Sequence, residues 1–444
     1  MWSSPQYLLV MIGVIIINYF VGIYIDKYDI IGGGQSKKLK SRVLIIGIVV
    51  NVLVLFIFKY LSFTINSLSE AAQMLGFNGW TFTNIVLPVG ISFYIFQSIS
   101  YLVDIYRKDA PVQKSIKNLA LYISMFPQLV AGPIVRYNSI AQDIERKREI
   151  SFDVFILGLK IFIIGLAKKV LIANQMAVIA DTMFAQDAAY LTALNAWIGA
   201  LAYTFQIYFD FSGYSDMAIG LGLMIGFKFP INFNYPYISY SITDFWRRWH
   251  ISLSSWFKDY IYIPLGGNRV KVSRMYLNLL IVFTITGIWH GANWTFLVWG
   301  LFHGFFLVLE KFTGLNKMEK YKPFRWIITM VIVITAWVFF RADTIHDALL
   351  YIKAMFGFNS NGEMLILSEL YLNNPAFYIL MIVGIIGSTP LIKKYFIKNI
   401  DAFNPVNVSE KVLYLQNIII IVFFAAVYIM LANNTYNPFI YFRF

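Results

Sequence analysis

Residues 278–294 read NLLIVFTITGIWHGANW, and this stretch decides the fold class. It is apolar and almost long enough to cross a hydrocarbon layer, which indicates a membrane-spanning helix. His290 interrupts it between Trp289 and Gly291. An ionisable side chain at membrane depth is costly and indicates a functional site. As a neutral imidazole, His290 could take a proton from a hydroxyl that attacks a carbonyl. The alternative is a core histidine bonded to a backbone carbonyl.

The residues around His290 fit a reaction centre. Gly287 and Gly291 would let a substrate chain or a neighbouring backbone approach closely. Asn293 follows one turn later, where its amide could orient the imidazole or stabilise an oxyanion. We therefore predict that Asn293 supports His290.

The preceding segment, 231–276, is too polar to span a membrane and too aromatic to be a free loop. We expect it to lie in the membrane interface. The aromatic residues expected at headgroup level are Trp246, Trp249, Trp256, Tyr260 and Tyr262. On one helical turn, Trp246, Arg247, Trp249 and His250 would converge. The alternative is an amphipathic anchor helix whose basic face binds lipid phosphate.

The composition of the whole chain agrees with a membrane protein. Of 444 residues, 59% are hydrophobic and 13% charged, against about 25% charged in soluble proteins. The net charge is +13, but the basic residues lie between apolar stretches, which favours positive-inside topology over a nucleic-acid partner. The chain has no cysteine, which excludes disulfides and thiolate metal sites, and its four histidines are too scattered for a zinc site. We predict no metal.

The hydropathy pattern predicts an all-α, polytopic integral membrane protein with about ten spans. The predicted spans are 7–25, 43–63, 84–106, 152–174, 195–211, 277–295, 296–310, 324–341, 376–392 and 412–432. Two further apolar segments, 119–135 and 212–230, are interrupted by glycine or proline and are expected to be broken or re-entrant. No internal repeat is evident, so the chain is predicted to form one membrane-embedded domain over 1–444.

Lysine and arginine in the connections predict the orientation. Basic residues are concentrated in 26–42, 107–118 and 136–149. By contrast, 64–82 and 176–194 contain none, and 342–374 contains only Lys353. This alternation places 231–276 on the cytoplasmic side. It places the N-terminus and the C-terminal tail, 433–444, on the extracytoplasmic side.

Other ionisable residues carry a weaker signal. Asp210 and Asp216 are acids at membrane depth that could form a proton relay or hold a broken backbone in place. His303 lies near Gly300 and Gly304 in a span, where helix packing is the expected role. His346 is expected to be solvated.

Several blocks together resemble the membrane-bound O-acyltransferase (MBOAT) family, and within it the bacterial branch of alginate O-acetyltransferase membrane subunits. The blocks are PVGISFYIFQSISYLVD (88–104), FPQLVAGPIVR (126–136), FDFSGYSDMAIGLG (209–222), NFNYPY (232–237), DFWRRWHISLSSWFKDYIYIPLGGNR (244–269) and GIWHGANWTFLVWGLFHG (287–304). The resemblance covers about residues 84–341, and the closing NPFIYFRF (437–444) is similar to a C-terminal motif of the branch. Teichoic acid D-alanyltransferases are related; the run IYIPLGGNR favours the acetylating branch.

The resemblance implies a fold and a reaction. The family fold is a ring of tilted helices around a central funnel, with re-entrant and interfacial helices. By position, His290 corresponds to the family's catalytic histidine and His250 to a second signature position. A thioester donor such as acetyl-CoA would enter from the cytoplasm, and no permanently bound cofactor is expected. Candidate donor-binding residues are Asp244, Trp246, Arg247, Arg248, Trp249, Trp289 and Asn293; guanidinium groups suit the donor's phosphates.

These inferences predict an O-acyltransferase of the bacterial plasma membrane. It would move an acetyl or other short acyl group to hydroxyls of an extracellular or cell-wall polysaccharide. Since no large soluble domain is available to hold a polymer, an extracytoplasmic esterase-like partner would complete the transfer. Membrane lipid surrounds the protein.

The tail NNTYNPFIYFRF (433–444) is predicted to fold back into the outer mouth of the funnel. Tyr441 could then accept the acyl group near His290 and pass it outward. The alternative is an interfacial aromatic anchor.

Two other functions stay open at this point. D-alanyl transfer to teichoic acid has the same chemistry but takes its donor from a carrier protein. A proton-coupled transporter or polysaccharide-export subunit would use Asp210 and Asp216, but it leaves the aromatic, basic segment 231–276 unexplained.

Overall fold

The computed structural model describes residues 6–83, 85–315, 320–358, 371–391, 410–433 and 439–440. Regular structure in these ranges is helical throughout, and no strand occurs among them, so the predicted all-α class is confirmed. The chain divides into two compact units: 1–150 with 226–230, and 151–225 with 231–444. A single embedded domain over 1–444 stays a prediction.

The first unit contains seven helices. They are α1 (Gln6–Ile31), α2 (Gly33–Leu55), α3 (Leu61–Met74), α4 (Ile91–Arg107), α5 (Ile116–Ser124), α6 (Phe126–Leu129) and α7 (Tyr137–Glu145). A short π-helix, Phe56–Tyr60, joins α2 to α3. Asn18 of α1 and Asn51 of α2 exchange amide hydrogen bonds of 2.8 and 3.1 Å. Such bonds tie apolar helices together where lipid offers no partner.

The second unit contains the region of the predicted site. Its helices are α8 (Phe152–Ala167), α9 (Asn174–Phe184), α10 (Ala193–Met224), α11 (Ile242–Arg248), α12 (Ile251–Phe257), α13 (Val272–His290), α14 (Trp294–Thr313), α15 (Lys322–Arg341), α16 (Ile345–Met355), α17 (Pro375–Gly387) and α18 (Glu410–Asn433). Two short π-helices, Lys168–Ala173 and Lys258–Tyr262, follow α8 and α12 respectively.

Each of the ten predicted spans coincides in large part with helix. Among the described residues, six helices are both long enough and apolar enough to cross a membrane. They are Gln6–Ile31, Gly33–Met74, Val272–His290, Trp294–Thr313, Lys322–Arg341 and Leu413–Asn433. The chain is therefore a multi-pass membrane protein. The orientation of its termini and the funnel stay predictions.

The prediction that 212–230 is broken is wrong over most of its length. Helix α10 runs unbroken from Ala193 to Met224. Its glycines permit close packing against α8: a Cβ on Gly213 would lie 2.6 Å from the Gly165 carbonyl oxygen, and one on Gly220 2.5 Å from that of Gly158. Small residues that let two helix backbones approach closely are typical of membrane interfaces.

The other interrupted segment, 119–135, is broken as predicted. Helix α5 ends at Ser124, and the single-turn helix α6 ends at Leu129. The Tyr122 hydroxyl donates to the Val135 carbonyl oxygen at 2.9 Å, which ties the two sides of the break together. Buried hydrogen bonds of this kind compensate for the lost helical ones.

Candidate active site

His290 is the last residue of α13, and three aromatic rings surround its imidazole. The ring centroids lie 5.0 Å from Trp289, 4.9 Å from Trp299 and 5.2 Å from Phe340, all edge-on. The side chain is 8% exposed. Edge-to-face packing fixes the plane of a ring without using its polar atoms. The imidazole is thus oriented by walls of apolar surface.

Two glycines allow this arrangement. A Cβ on Gly287 would lie 2.4 Å from the Phe296 carbonyl oxygen, and one on Gly291 2.2 Å from the Phe296 ring. The predicted close approach of backbone at Gly287 is therefore confirmed. It brings α14, with Trp299, against the end of α13.

His250 lies between two short helices, so the prediction of one continuous helical turn around it is wrong. Helix α11 ends at Arg248, and His250 has φ of 44° in the left-handed region. Segment 232–234 pairs with the chain on both sides of this residue. The Asn234 N–H donates to the Arg248 carbonyl and the Ile251 N–H donates to the Asn232 carbonyl, both at 2.9 Å. Backbone strain of this kind is concentrated at functional sites.

A side-chain hydrogen bond fixes the tautomer of His250. The Asn232 Oδ1 atom accepts from the Ser252 backbone N–H at 3.2 Å and from its hydroxyl at 2.9 Å, so this atom is an oxygen. His250 Nδ1 lies 3.0 Å from the same oxygen and must therefore carry a proton and donate it. Nε2 is left as the basic atom, and it has no hydrogen-bond partner among the described residues.

Burial keeps this ring neutral. His250 is 1% exposed. Desolvation lowers its pKa to about 3, far below the ordinary value for histidine. His250 is therefore a hydrogen-bond acceptor, through Nε2, over the physiological pH range. Sequence reasoning missed Asn232, although the block NFNYPY that contains it belongs to the family resemblance.

Trp289 joins the two histidines. Its ring centroid lies 6.3 Å from that of His250 and 5.0 Å from that of His290. Further tryptophans extend the cluster: Trp246, Trp249, Trp299 and Trp337 are all buried. The predicted headgroup position is wrong for Trp246, Trp249 and Trp256, which are 7%, 2% and 3% exposed. These three side chains pack against aromatic rings of the protein and not against lipid headgroups.

His303 also belongs to this cluster. The sequence predicts only helix packing beside Gly300 and Gly304 for this residue. Its ring lies 5.1 Å from Trp299 and 5.2 Å from Trp246 and stacks on Phe245 at 6.1 Å. It is fully buried. Gly300 and Gly304, in contrast, do pack against α13, at Phe283.

The polar residues of α11 hold that helix in place. Arg248 Nε donates to Asp244 Oδ1 at 3.0 Å, whereas Arg247 is exposed. Glu310 of α14 accepts from the backbone N–H groups of Ile242 and Thr243 at 2.5 and 3.0 Å. A carboxylate at a helix N-terminus satisfies groups that have no partner within the helix. Donor binding by this segment stays a prediction.

Asn293 does not have the predicted contact with His290. Its Oδ1 accepts from the Thr295 N–H at 3.1 Å, and its Nδ2 donates to the Asp343 carbonyl at 2.9 Å. The amide is thus engaged at both ends, as the N-cap of α14 and as a tie to the end of α15.

The two acids of α10 are both ion-paired. Asp216 contacts Lys168 at 2.6 Å, and Asp210 forms a close ion pair with Lys169. This arrangement favours the structural reading of these acids over the proton relay. Tyr441 lies outside the described residues, and His346 is exposed as predicted.

Comparison with known proteins identifies the family of this chain. The model of the membrane-bound O-acyltransferase family matches residues 108–345. The probable alginate O-acetylase AlgI of Pseudomonas aeruginosa is 45% identical over 81% of this chain and 68% of its own length. A peptidoglycan O-acetyltransferase of Helicobacter pylori is 40% identical, over 80% of this chain and 71% of its own. A teichoic acid D-alanyltransferase of Bacillus subtilis is 31% identical, over 57% and 66%.

The chain belongs to the membrane-bound O-acyltransferase family. It is an acyltransferase embedded in a membrane, and the three histidines of the aromatic cluster, His250, His290 and His303, lie within the region that the family model matches. Such an enzyme requires an acyl donor and an acceptor.

Proposed function

We propose that this enzyme transfers an acetyl group from a cytoplasmic thioester, acetyl-CoA, to hydroxyls of an extracytoplasmic polysaccharide in the bacterial envelope. The single observation that carries the proposal is that His250 and His290 both pack against one residue, Trp289, inside a buried aromatic cluster. The names of the relatives support the acyl group, since alginate O-acetylases and a peptidoglycan O-acetyltransferase are about 40–45% identical to this chain.

In the proposed reaction His290 is the general base. Its imidazole takes the proton of the attacking hydroxyl while the oxygen forms a bond to the thioester carbonyl carbon. The carbon–sulfur bond then breaks, and the proton passes from the imidazolium to the leaving thiolate. A positioned base of this kind contributes about 10²–10⁴-fold to a rate. The surrounding rings exclude water, which would otherwise hydrolyse the thioester.

His250 supplies a hydrogen-bond acceptor at Nε2 and does not change protonation. Burial lowers the pKa of His250, which disfavours this residue as the one that cycles a proton near neutral pH. We assign it to donor positioning together with Arg248 and the exposed Arg247. In this arrangement the guanidinium groups bind the phosphates of the donor.

The acceptor side requires the orientation predicted from the basic connections, with donor entry inside and both termini outside. An esterase-like extracytoplasmic partner would hold the polymer. Tyr441 is proposed to relay the acyl group outward as a tyrosyl ester. If Tyr441→Phe, at a normal protein level, leaves polymer acetylation unchanged, the relay is wrong.

The test measures ester-linked acyl groups on the cell surface. Polymers from cells with the wild-type protein or with His290→Ala are treated with mild base, and the released acids are identified by mass. We expect acetate to be released from the wild type and to fall to background in the variant. His346→Ala, which changes an exposed histidine, is the matched control and should release wild-type amounts.

The other outcomes are equally informative. Loss of D-alanine instead of acetate would replace acetylation with teichoic acid D-alanylation, the activity named for the relative that is 31% identical. Unchanged acetate and D-alanine in His290→Ala would contradict both transfers.

A further inference from the structure

Two ion pairs join the short π-helix after α8 to α10. Only one of the two is deeply buried. The side chains of Lys169 and Asp210 are 8% and 2% exposed, whereas those of Lys168 and Asp216 are 26% and 28% exposed. Removing two charges from water is costly, and close pairing only partly offsets the cost. The buried pair is therefore expected to have an additional role or partner.

That additional partner is the C-terminal segment. The backbone N–H of Ile440 donates to Asp210 Oδ2 at 2.7 Å. The ring of Phe439 lies 4.8 Å from Lys169 Nζ and packs edge-on against Tyr214 at 4.9 Å. Ile440 is 6% exposed, so the segment is inserted into the second unit of the protein.

Each side of this contact satisfies the other. The carboxylate of Asp210 accepts a charge-assisted hydrogen bond from the backbone N–H of Ile440. A buried N–H without an acceptor is destabilising, so the carboxylate also stabilises the segment. The ammonium of Lys169 over an aromatic face adds a cation–π attraction. The preceding helix α18 packs beside the same site, where Val427 contacts Ala167 and Val170.

The second ion pair, Lys168–Asp216, joins the same two elements without the C-terminal segment. Lys168 and Asp216 are neighbours of the buried pair on the same two elements and form an ordinary ion pair of 2.6 Å. The hydrogen bond of Ile440 and the ring contact of Phe439 go to Asp210 and Lys169, and neither goes to Lys168 or Asp216. The segment thus selects the buried pair, not acidic residues of α10 in general.

We propose that the Lys169–Asp210 pair is the docking site of the C-terminal segment and positions residue 441 for acyl transfer. Both are positioning residues, because they act through the segment and not on the reacting atoms. The docking stands on the contacts above; its effect on transfer rests on the proposed function.

The experiment uses the absence of cysteine from the chain. Ile440→Cys introduces a single thiol and keeps the backbone N–H that donates to Asp210. In this background, Lys169→Met with Asp210→Leu removes the docking pair and leaves no unpaired charge. Lys168→Met with Asp216→Leu is the matched control. The rate of maleimide labelling is measured on purified protein in detergent.

We expect slow labelling in the single-cysteine protein and in the control. Labelling should be at least about tenfold faster without the docking pair, since an opening free energy lower by 1.4 kcal/mol is tenfold in the exposed population. Equal rates in all three proteins would overturn the proposal. A cysteine at Ala196, a fully buried position in α10, reports the fold: it must stay protected in every variant. If this cysteine becomes labelled in the variant with Lys169→Met and Asp210→Leu, the comparison is repeated with Lys169→Asp and Asp210→Lys. This exchange keeps an ion pair and removes the carboxylate from position 210.

Acyl transfer by the same proteins tests the positioning role. The docking variant should lose transfer while the control keeps it. Faster labelling with wild-type transfer would overturn the positioning role. Failure of the proposed function is seen separately, because the labelling comparison does not require any acyl donor or acceptor.

Discussion

The two histidines that contact Trp289 are held by different means. His250 is fixed by a hydrogen bond to Asn232 and by a left-handed backbone, and it is 1% exposed. His290 ends a membrane helix among aromatic rings and is 8% exposed. The hydrogen bond from Nδ1 and the burial of His250 keep this ring in one tautomer and one charge state, whereas the ring of His290 packs edge-on against three aromatic rings. With this contrast in view, we propose positioning for His250 and proton transfer for His290.

Asn232→Leu attacks the support of His250 and has the largest expected effect on stability. It removes the oxygen that accepts from His250 Nδ1–H and from two groups of Ser252. Buried donors without an acceptor cost about 1–3 kcal/mol each, so we expect a loss of about 3 kcal/mol and a lower Tm in detergent. Asn234→Leu, which changes an exposed side chain two residues away, is the control. Equal Tm values for the two variants would contradict the assignment of Asn232.

The pH dependence of stability tests whether His250 is held neutral. The folded pKa of about 3 lies below the unfolded value of about 6.5, so the stability that the neutral ring contributes is complete above pH 6.5. This stability is lost as the pH falls from 6.5 towards 3, because His250 binds a proton in the unfolded chain but not in the folded protein. At pH 5 the loss is about 2 kcal/mol.

His250→Asn removes this titration and should flatten the decrease of Tm between pH 7.5 and pH 5 relative to the wild type. The measurement is thermal unfolding at both pH values, and the exposed His346→Asn is the control. Identical slopes for wild type and His250→Asn would show that the ring is not held neutral.

Glu310→Gln tests the cap of α11, the helix that ends beside His250, and has the smallest expected effect. Gln keeps one acceptor for the two backbone N–H groups but loses the charge and the second oxygen. We expect a loss of about 1 kcal/mol in stability. The comparison is with Glu149→Gln, which changes an exposed carboxylate. If both variants unfold alike, the cap does not stabilise the segment.

Much of this arrangement is predictable because it depends on composition and local pattern. The apolar stretch before His290 predicts a membrane helix, and the motif around it predicts the family. Gly287 predicts close packing because only glycine fits where two helix backbones meet.

The remaining features depend on contacts between distant parts of the chain. Asn232 and His250 are 18 residues apart, and the partner of Asp216 is 48 residues away, so no local pattern pairs them. Asn293 misled the prediction because a residue type that stabilises oxyanions is also a preferred helix cap. The tryptophans of 231–276 misled it because aromatic side chains serve both a membrane interface and a buried cluster.

The central claim is that His290 is the base of an acyl transfer from a thioester. Its most direct test is the incorporation of labelled acetyl from acetyl-CoA into base-labile ester by membranes that contain equal amounts of wild-type protein or His290→Ala. We expect the variant to be at least about 100-fold slower, while His346→Ala matches the wild type. A rate for His290→Ala within about twofold of the wild type, well inside the range expected for loss of a general base, would contradict it.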